Sequence, residues 1–289
     1  MTVLIAGYGD LGRNVAQCMR AHPLFCHAEI YAVRRTTMAP NNLAVRPLQA
    51  DLRDSVSLKN ALSGLPTIET LVYCPAPKER TREAYEGTYL NGLKTLVHAI
   101  GIRQDRLPRI LFVSSTAVYA SDLDGWVTET SPTIPRGFNG EILLKAEQWV
   151  AQHNSHSLIL RLSGIYGPGR LALLRSIESG TATLPWESDY WANRIHIEDA
   201  ARAIVHLLAS NQEGVFIGSD STPHPINDLY ATLAQALEAP LPKQGPPSPM
   251  MGKKRLSNAK LLATGFKFLW PDSVQGYLRI IEQRPDTYP

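Results

Sequence analysis

Short apolar runs alternate with amphipathic stretches through the first half of this chain. Residues 3–6, 29–33, 71–73, 110–114 and 158–161 are apolar and rich in β-branched side chains, which suits strands buried on both faces of a parallel sheet. Between them, residues 12–21, 56–63, 82–100 and 140–152 carry apolar positions at helical spacing. This alternation predicts an α/β fold, a Rossmann-type doubly wound parallel sheet with right-handed crossovers. The pattern changes after Tyr166: Gly167-Pro168-Gly169 interrupts it, and residues 180–191 read as loop. Strand and helix resume over 195–210, and a Pro-rich stretch, 239–249, separates a helix over 226–238 from the C-terminal part. The predicted division is a dinucleotide-binding domain, 1–166 with 193–217 returning to it, and a small C-terminal substrate lobe, 167–192 with 218–289.

Composition narrows the function classes. At 289 residues, with 44% hydrophobic and 19% charged residues, the chain has the make-up of an ordinary globular protein. A net charge of +3 with dispersed basic residues gives no footprint for nucleic acid or a membrane surface. Cys18, Cys26 and Cys74 are too few and unevenly spaced for a disulfide framework or metal site, and they read as small buried hydrophobes. No secretory signal is visible and no apolar run is long enough to span a bilayer. The expected location is cytoplasmic.

Gly7-Tyr8-Gly9-Asp10-Leu11-Gly12 follows an apolar strand and opens a helix. In that context the glycines allow a tight turn, a close backbone approach to a pyrophosphate, and close helix–strand packing. The helix N-terminus offers unpaired N–H groups and a positive dipole end to the phosphates. The second strand ends in Arg34-Arg35 where an NAD binder places a carboxylate for the ribose. Guanidinium groups pair with a 2′-phosphate, so NADP(H) is favoured over NAD(H). Asp51, followed by Leu52, suits either reading of an adenine amino group or capping of a helix.

With these elements in order, the chain resembles the extended short-chain dehydrogenase/reductase superfamily, of the NAD-dependent epimerase/dehydratase type. The resemblance extends through Tyr89-Leu90-Asn91-Gly92, Ser114–Tyr119, Arg161, Ile165–Gly169, Ile195–Ala200 and the C-terminal segment. It implies a cofactor-binding set of Gly7, Gly9, Asp10, Leu11, Gly12, Arg34, Arg35, Asp51, Leu52, Cys74, Pro75, Ala76 and Lys145. It also implies a small-molecule substrate, and a homodimer through the helices 82–100 and 140–152. In the family a Tyr four residues before a Lys moves the proton while hydride moves at the nicotinamide, and a Ser holds the substrate oxygen. By position, Ser115 is the substrate hydroxyl and Lys145 the ribose anchor, but the Tyr position holds Glu141.

Glu141 lies one helical turn before Lys145, a spacing at which carboxylate and ammonium attract. The pair reads either as a base with its partner or as a solvated surface pair. Ser115 is followed by Thr116-Ala117 where the family's dehydratases have an acidic pair, and Gly164 stands where its sugar-nucleotide epimerases have Asn. The chain therefore resembles an atypical branch lacking the active-site Tyr. Two functions stay open: an NAD(P)-linked, epimerase/dehydratase-like oxidoreductase using Ser115, Lys145 and Glu141, acting on a small molecule of which phosphorylated and nucleotide-linked compounds are candidates, and a non-catalytic NADP(H)-binding sensor.

Overall fold

The computed structural model describes residues 1–36, 43–186, 189–246 and 251–283. Seven strands form the main sheet: β1 Thr2–Ala6, β2 Glu29–Arg34, β3 Val45–Gln49, β4 Thr70–Tyr73, β5 Arg109–Ser115, β6 Leu158–Leu162 and β7 Gly214–Gly218. Their spatial order is β7-β6-β5-β4-β1-β2-β3, and β1 pairs in parallel with both β2 and β4. The order therefore reverses between β1 and β4, the switch point beside which such folds bind their ligands. Val3, Leu4, Ile5, Leu71, Val72, Leu111 and Phe112 are fully enclosed, which explains why these strands read as unbroken apolar runs. Strand β3 had no such run. It is an edge strand that carries Arg46, Pro47 and Gln49, and Pro is tolerated at an edge.

The helices of this layer are α1 Asp10–Ala21, α2 Ser55–Leu62, α3 Arg82–Tyr85, α4 Gly92–Gly101 and α5 Phe138–His153. Between α3 and α4 the chain widens into a π-helical turn, Glu86–Asn91. Asp54 caps α2 by accepting from the amides of Val56 and Ser57. The capping role that the sequence allowed for Asp51 therefore belongs to Asp54. Cys74 is buried, whereas Cys18 and Cys26 are only half-buried, so the expectation of three enclosed cysteines holds for one. No helix among the described residues is long and apolar enough to cross a membrane.

The chain divides into two compact units: 1–118 with 135–161 and 201–216, and 119–134 with 162–200 and 217–289. Within the second, short ladders replace the expected loops. Thr183–Leu184 pairs with Lys243–Gln244, Trp191–Ala192 with His224–Pro225, and Lys254–Leu256 with Gly125–Val127. Residues 187–188 and 247–250, within or beside the predicted loops 180–191 and 239–249, lie outside the described residues. Leu174, Ile177, Leu229, Leu233 and Tyr277 form this unit's core, with the Tyr166 ring stacked on Tyr277 at 4.5 Å.

One buried carboxyl there is poorly compensated. Asp220 is 1% exposed, with no close hydrogen bond to either oxygen among the described residues, and Ser273 and the Arg194 charge offset its burial only in part. Burial pushes its pKa well above the ordinary carboxylate range, with the neighbouring Asp272 adding to the effect. A raised folded pKa means that the folded state holds the extra proton, so stability falls as pH rises above about 4, the unfolded value. Asp220→Asn, neutral throughout, should therefore gain in melting temperature relative to the wild type between about pH 4 and pH 8. A difference that stays constant over that range would contradict this assignment.

Candidate functional site

The glycine loop is built by close approach. Gly7 follows β1 with φ +99°, in the left-handed region that a side chain disfavours. A β-carbon on it would stand 2.5 Å from Pro75 Cα and 2.6 Å from the Cys74 carbonyl carbon, while one on Gly12 would overlap the Gly7 carbonyl oxygen. Gly9 instead faces open space. The loop is tied to both neighbouring strands: the Gly7 amide donates to Val33 O at 3.2 Å, and the Cys74 amide to Ala6 O at 2.9 Å. Cys74 Sγ donates to the Gly7 carbonyl at 3.4 Å. Burial raises the Cys74 pKa to about 12, so the thiol stays protonated and able to donate.

Helix α1 begins at Asp10 with no side-chain cap. Its first amides, including those of Leu11 and Gly12, therefore lack helical partners and point out of its N-terminus. Pro75 and Ala76 continue from Cys74 along the same edge, Pro75 half-buried and Ala76 exposed. These groups fit a dinucleotide phosphate: a cradle that side chains would fill, open space at Gly9, and uncapped amides.

At the end of β2, Arg34 is half-buried and Arg35 exposed. Neither guanidinium has a hydrogen bond or ion pair among the described residues. Asp51 is engaged by Arg53, whose Nε and Nη2 donate to its two oxygens at 3.1 and 2.9 Å. That side-chain hydrogen bond is the main reason the Asp51 pKa is lowered, with a smaller contribution from Arg35. Leu52 is half-buried beside Gly92.

Beyond β5 the sequence-derived residues separate. Ser115 is half-buried, and its Oγ accepts from the Ala117 amide at 3.2 Å. Helix α5 packs tightly on this segment at Gly140, where any β-carbon would overlap the Ala117 carbonyl oxygen. Glu141, however, does not pair with Lys145. Its Oε2 receives Arg82 Nη2 at 2.8 Å, and Arg82 also packs over the Phe138 ring at 5.8 Å. Lys145 is exposed and has no hydrogen bond or ion pair among the described residues. The expected Glu141–Lys145 pair is absent because the nearby helix α3 supplies a better donor, a planar guanidinium.

Glu147 was not anticipated. It is 2% exposed, and Arg161 Nη2 and Nε donate to its Oε2 at 2.6 and 3.1 Å. Ser114 Oγ donates to its Oε1 at 2.5 Å. This buried cluster joins β5, α5 and β6. Its signal in the sequence was a carboxylate on the apolar face formed by Ile142, Leu143, Ala146 and Val150, together with an Arg inside an otherwise apolar strand.

A mixed α/β chain with a parallel seven-stranded sheet and a glycine loop at its switch point is a nucleotide-binding fold of the Rossmann type. The chain belongs to the NAD-dependent epimerase/dehydratase family, whose model matches residues 3–218. It is 32% identical to Protein YeeZ of Escherichia coli K12 over 187 residues, which are 64% of this chain and 66% of YeeZ. A Methylobacillus flagellatus protein, itself only provisionally assigned to the NAD-dependent epimerases/dehydratases, superposes with a TM-score of 0.78 at 33% identity, covering 97% of both chains. A Thermus thermophilus UDP-glucose 4-epimerase solved in complex with NAD has a TM-score of 0.77 at 19% identity, covering 98% of this chain and 99% of that one, and shares the fold.

Removing one partner of a buried ion pair leaves an uncompensated charge, so Glu147→Ala should lower unfolding free energy by about 3–5 kcal/mol. Lys145→Ala, on the exposed face, should change it by no more than about 0.5 kcal/mol. Urea denaturation of the two variants checks both, and similar losses in the two would refute this ranking.

Proposed function

We propose that this chain is an NAD(P)-linked oxidoreductase of the epimerase/dehydratase kind, acting on a small carbonyl or hydroxyl compound with Ser115 facing the substrate oxygen. The observation that carries the reading is the loop Gly7–Gly12, packed so closely against Cys74 and Pro75 that it accepts no side chain at Gly7 or Gly12 while leaving Gly9 open. The amides of Asp10, Leu11 and Gly12 would hold the phosphates. A nicotinamide bound there supplies a site that accepts or donates hydride. Pro75 and Ala76 would line the cofactor on the β4 side, and Leu52 its adenine side. Residues 167–192 and 218–289 would serve as the substrate lobe, and a substrate linked to a nucleotide or phosphate is the class we favour there. Homodimer contacts are assigned to the outward faces of the helices 82–100 and 140–152.

NADP(H) is the preferred cofactor in this reading because Arg34 and Arg35 carry guanidinium groups uncommitted among the described residues at the end of β2. A 2′-phosphate would take the charge-assisted hydrogen bonds that an NAD binder obtains from a carboxylate. Asp51, already engaged by Arg53, presents less competing negative charge. A chain that binds cofactor but turns over no carbonyl compound would be the sensor instead. Titration calorimetry should show NADPH bound more tightly than NADH, with Arg34→Ala and Arg35→Ala each weakening NADPH by about tenfold and NADH little. Tighter NADH binding by the wild type would overturn the NADP(H) assignment.

A further inference from the structure

The proposed reaction needs a hydroxyl able to give a proton, and α5 does not supply one. Glu141 is held by Arg82, and the inward turns of α5 carry Gly140, Leu143 and Ala146. A phenol stands nearby on a different helix. Tyr89 lies in the wide turn Glu86–Asn91, a feature that is frequent at functional sites. Two contacts hold that turn against the sheet. Tyr73 Oη donates to the Thr88 carbonyl at 2.5 Å. Gly92 packs so tightly that a β-carbon would stand 3.0 Å from Tyr73 Oη and 3.1 Å from Leu52 Cβ.

The Tyr89 ring sits edge-on to Phe112 of β5 at 6.5 Å and tilted against Tyr85 at 5.4 Å, and Tyr85 in turn meets Phe138 of α5 edge-on at 5.4 Å. Phe112 precedes Ser115 by three residues on the same strand. Tyr89 also interacts electrostatically with Cys74, the residue whose thiol donates to the glycine loop. The Tyr89 ring is therefore placed against the middle of β5, and Tyr85 links it to the start of α5. The Tyr89 hydroxyl has no hydrogen-bond partner among the described residues, and the residue is half-buried.

We propose that Tyr89, presented by the wide turn, is the catalytic phenol of this protein in place of the tyrosine missing from α5. The proposal rests on the oxidoreductase reading above. In carbonyl reduction, the substrate carbon accepts hydride from the reduced nicotinamide and the substrate oxygen takes the Tyr89 proton. Alcohol, oxidised nicotinamide and phenolate result, and water returns the proton to the phenolate. Burial pushes the Tyr89 pKa up, which keeps the phenol protonated at neutral pH and makes it a weaker acid than the step favours, so the bound substrate and cofactor must stabilise the phenolate.

The test uses the full chain labelled with 3-fluorotyrosine, each fluorine resonance being assigned by its loss in a Tyr→Phe variant. Saturating NADP+ should shift the Tyr89 resonance and leave that of Tyr31 unmoved. A Tyr89 resonance that stays in place while calorimetry shows cofactor bound would overturn the proposal, as would a shift at Tyr85 alone. Absence of any cofactor binding would instead sink the oxidoreductase reading itself. With NADPH and 9,10-phenanthrenequinone as probe, Tyr89→Phe should lower kcat about 100-fold at unchanged cofactor affinity. An unchanged rate, or a cofactor-loaded wild type that reduces no quinone, counts against the role.

Discussion

Arg161 and Glu147 form an ion pair 6% and 2% exposed at their side chains, with Ser114 completing the carboxylate's hydrogen bonds. Two charges taken out of water are costly, and only good geometry with every lone pair engaged offsets that cost. Such a pair tolerates little rotation of the helix that carries one of its members. Helix α5 advances about 100° per residue, so fixing Glu147 inward fixes every other position on it. Relative to Glu147, Gly140 then lies about 20° round and Leu143 about 40°, whereas Glu141 lies about 120° and Lys145 about 160° away. The burial pattern follows: Gly140 and Leu143 are enclosed, Glu141 is half-exposed on Arg82, and Lys145 is in solvent.

The same constraint ties the two halves of the proposed site together. Ser114 belongs to the cluster and its neighbour Ser115 ends β5. Gly140 brings α5 against the Ala117 carbonyl just beyond. At the other side of β4, the glycine loop is wedged against Cys74 and Pro75 with no room for a side chain at two of its positions. Between these fixed points lie the wide turn and its aromatic row, Tyr89, Tyr85 and Phe138. Family membership and a close-packed glycine loop thus coexist with a Glu141 that pairs with Arg82 rather than with Lys145.

Sheet and helices were legible because parallel strands buried on both faces leave apolar runs, and because amphipathic helices leave a regular spacing. Strand β3 was not, since an edge strand with Arg46, Pro47 and Gln49 needs no such run. The glycine loop was legible because its requirement is local: backbone conformation and close approach exclude side chains at fixed positions. The surroundings of Glu141 and Lys145 were not a local matter. Spacing placed Glu141 and Lys145 one turn apart but carried no information on which way that face of α5 points. Glu147 and Arg161, 14 residues apart in sequence, set that direction, and a pair of this kind is visible only once both elements are packed. The wide turn that presents Tyr89 likewise left no mark on the apolar spacing of residues 82–100, which reads as one continuous helix.

Glu141 is engaged by Arg82, and under the proposal above the proton-donating role falls to Tyr89 of the neighbouring helix. A crystal structure of the wild-type protein with NADP+ measures this directly, through the distances from the nicotinamide C4 to Tyr89 Oη and to the Glu141 carboxylate. Tyr89 Oη is expected within about 5 Å of C4, close enough to share one substrate oxygen with it, with Glu141 still paired with Arg82. A carboxylate of Glu141 released from Arg82 and closer to C4 than Tyr89 would contradict it.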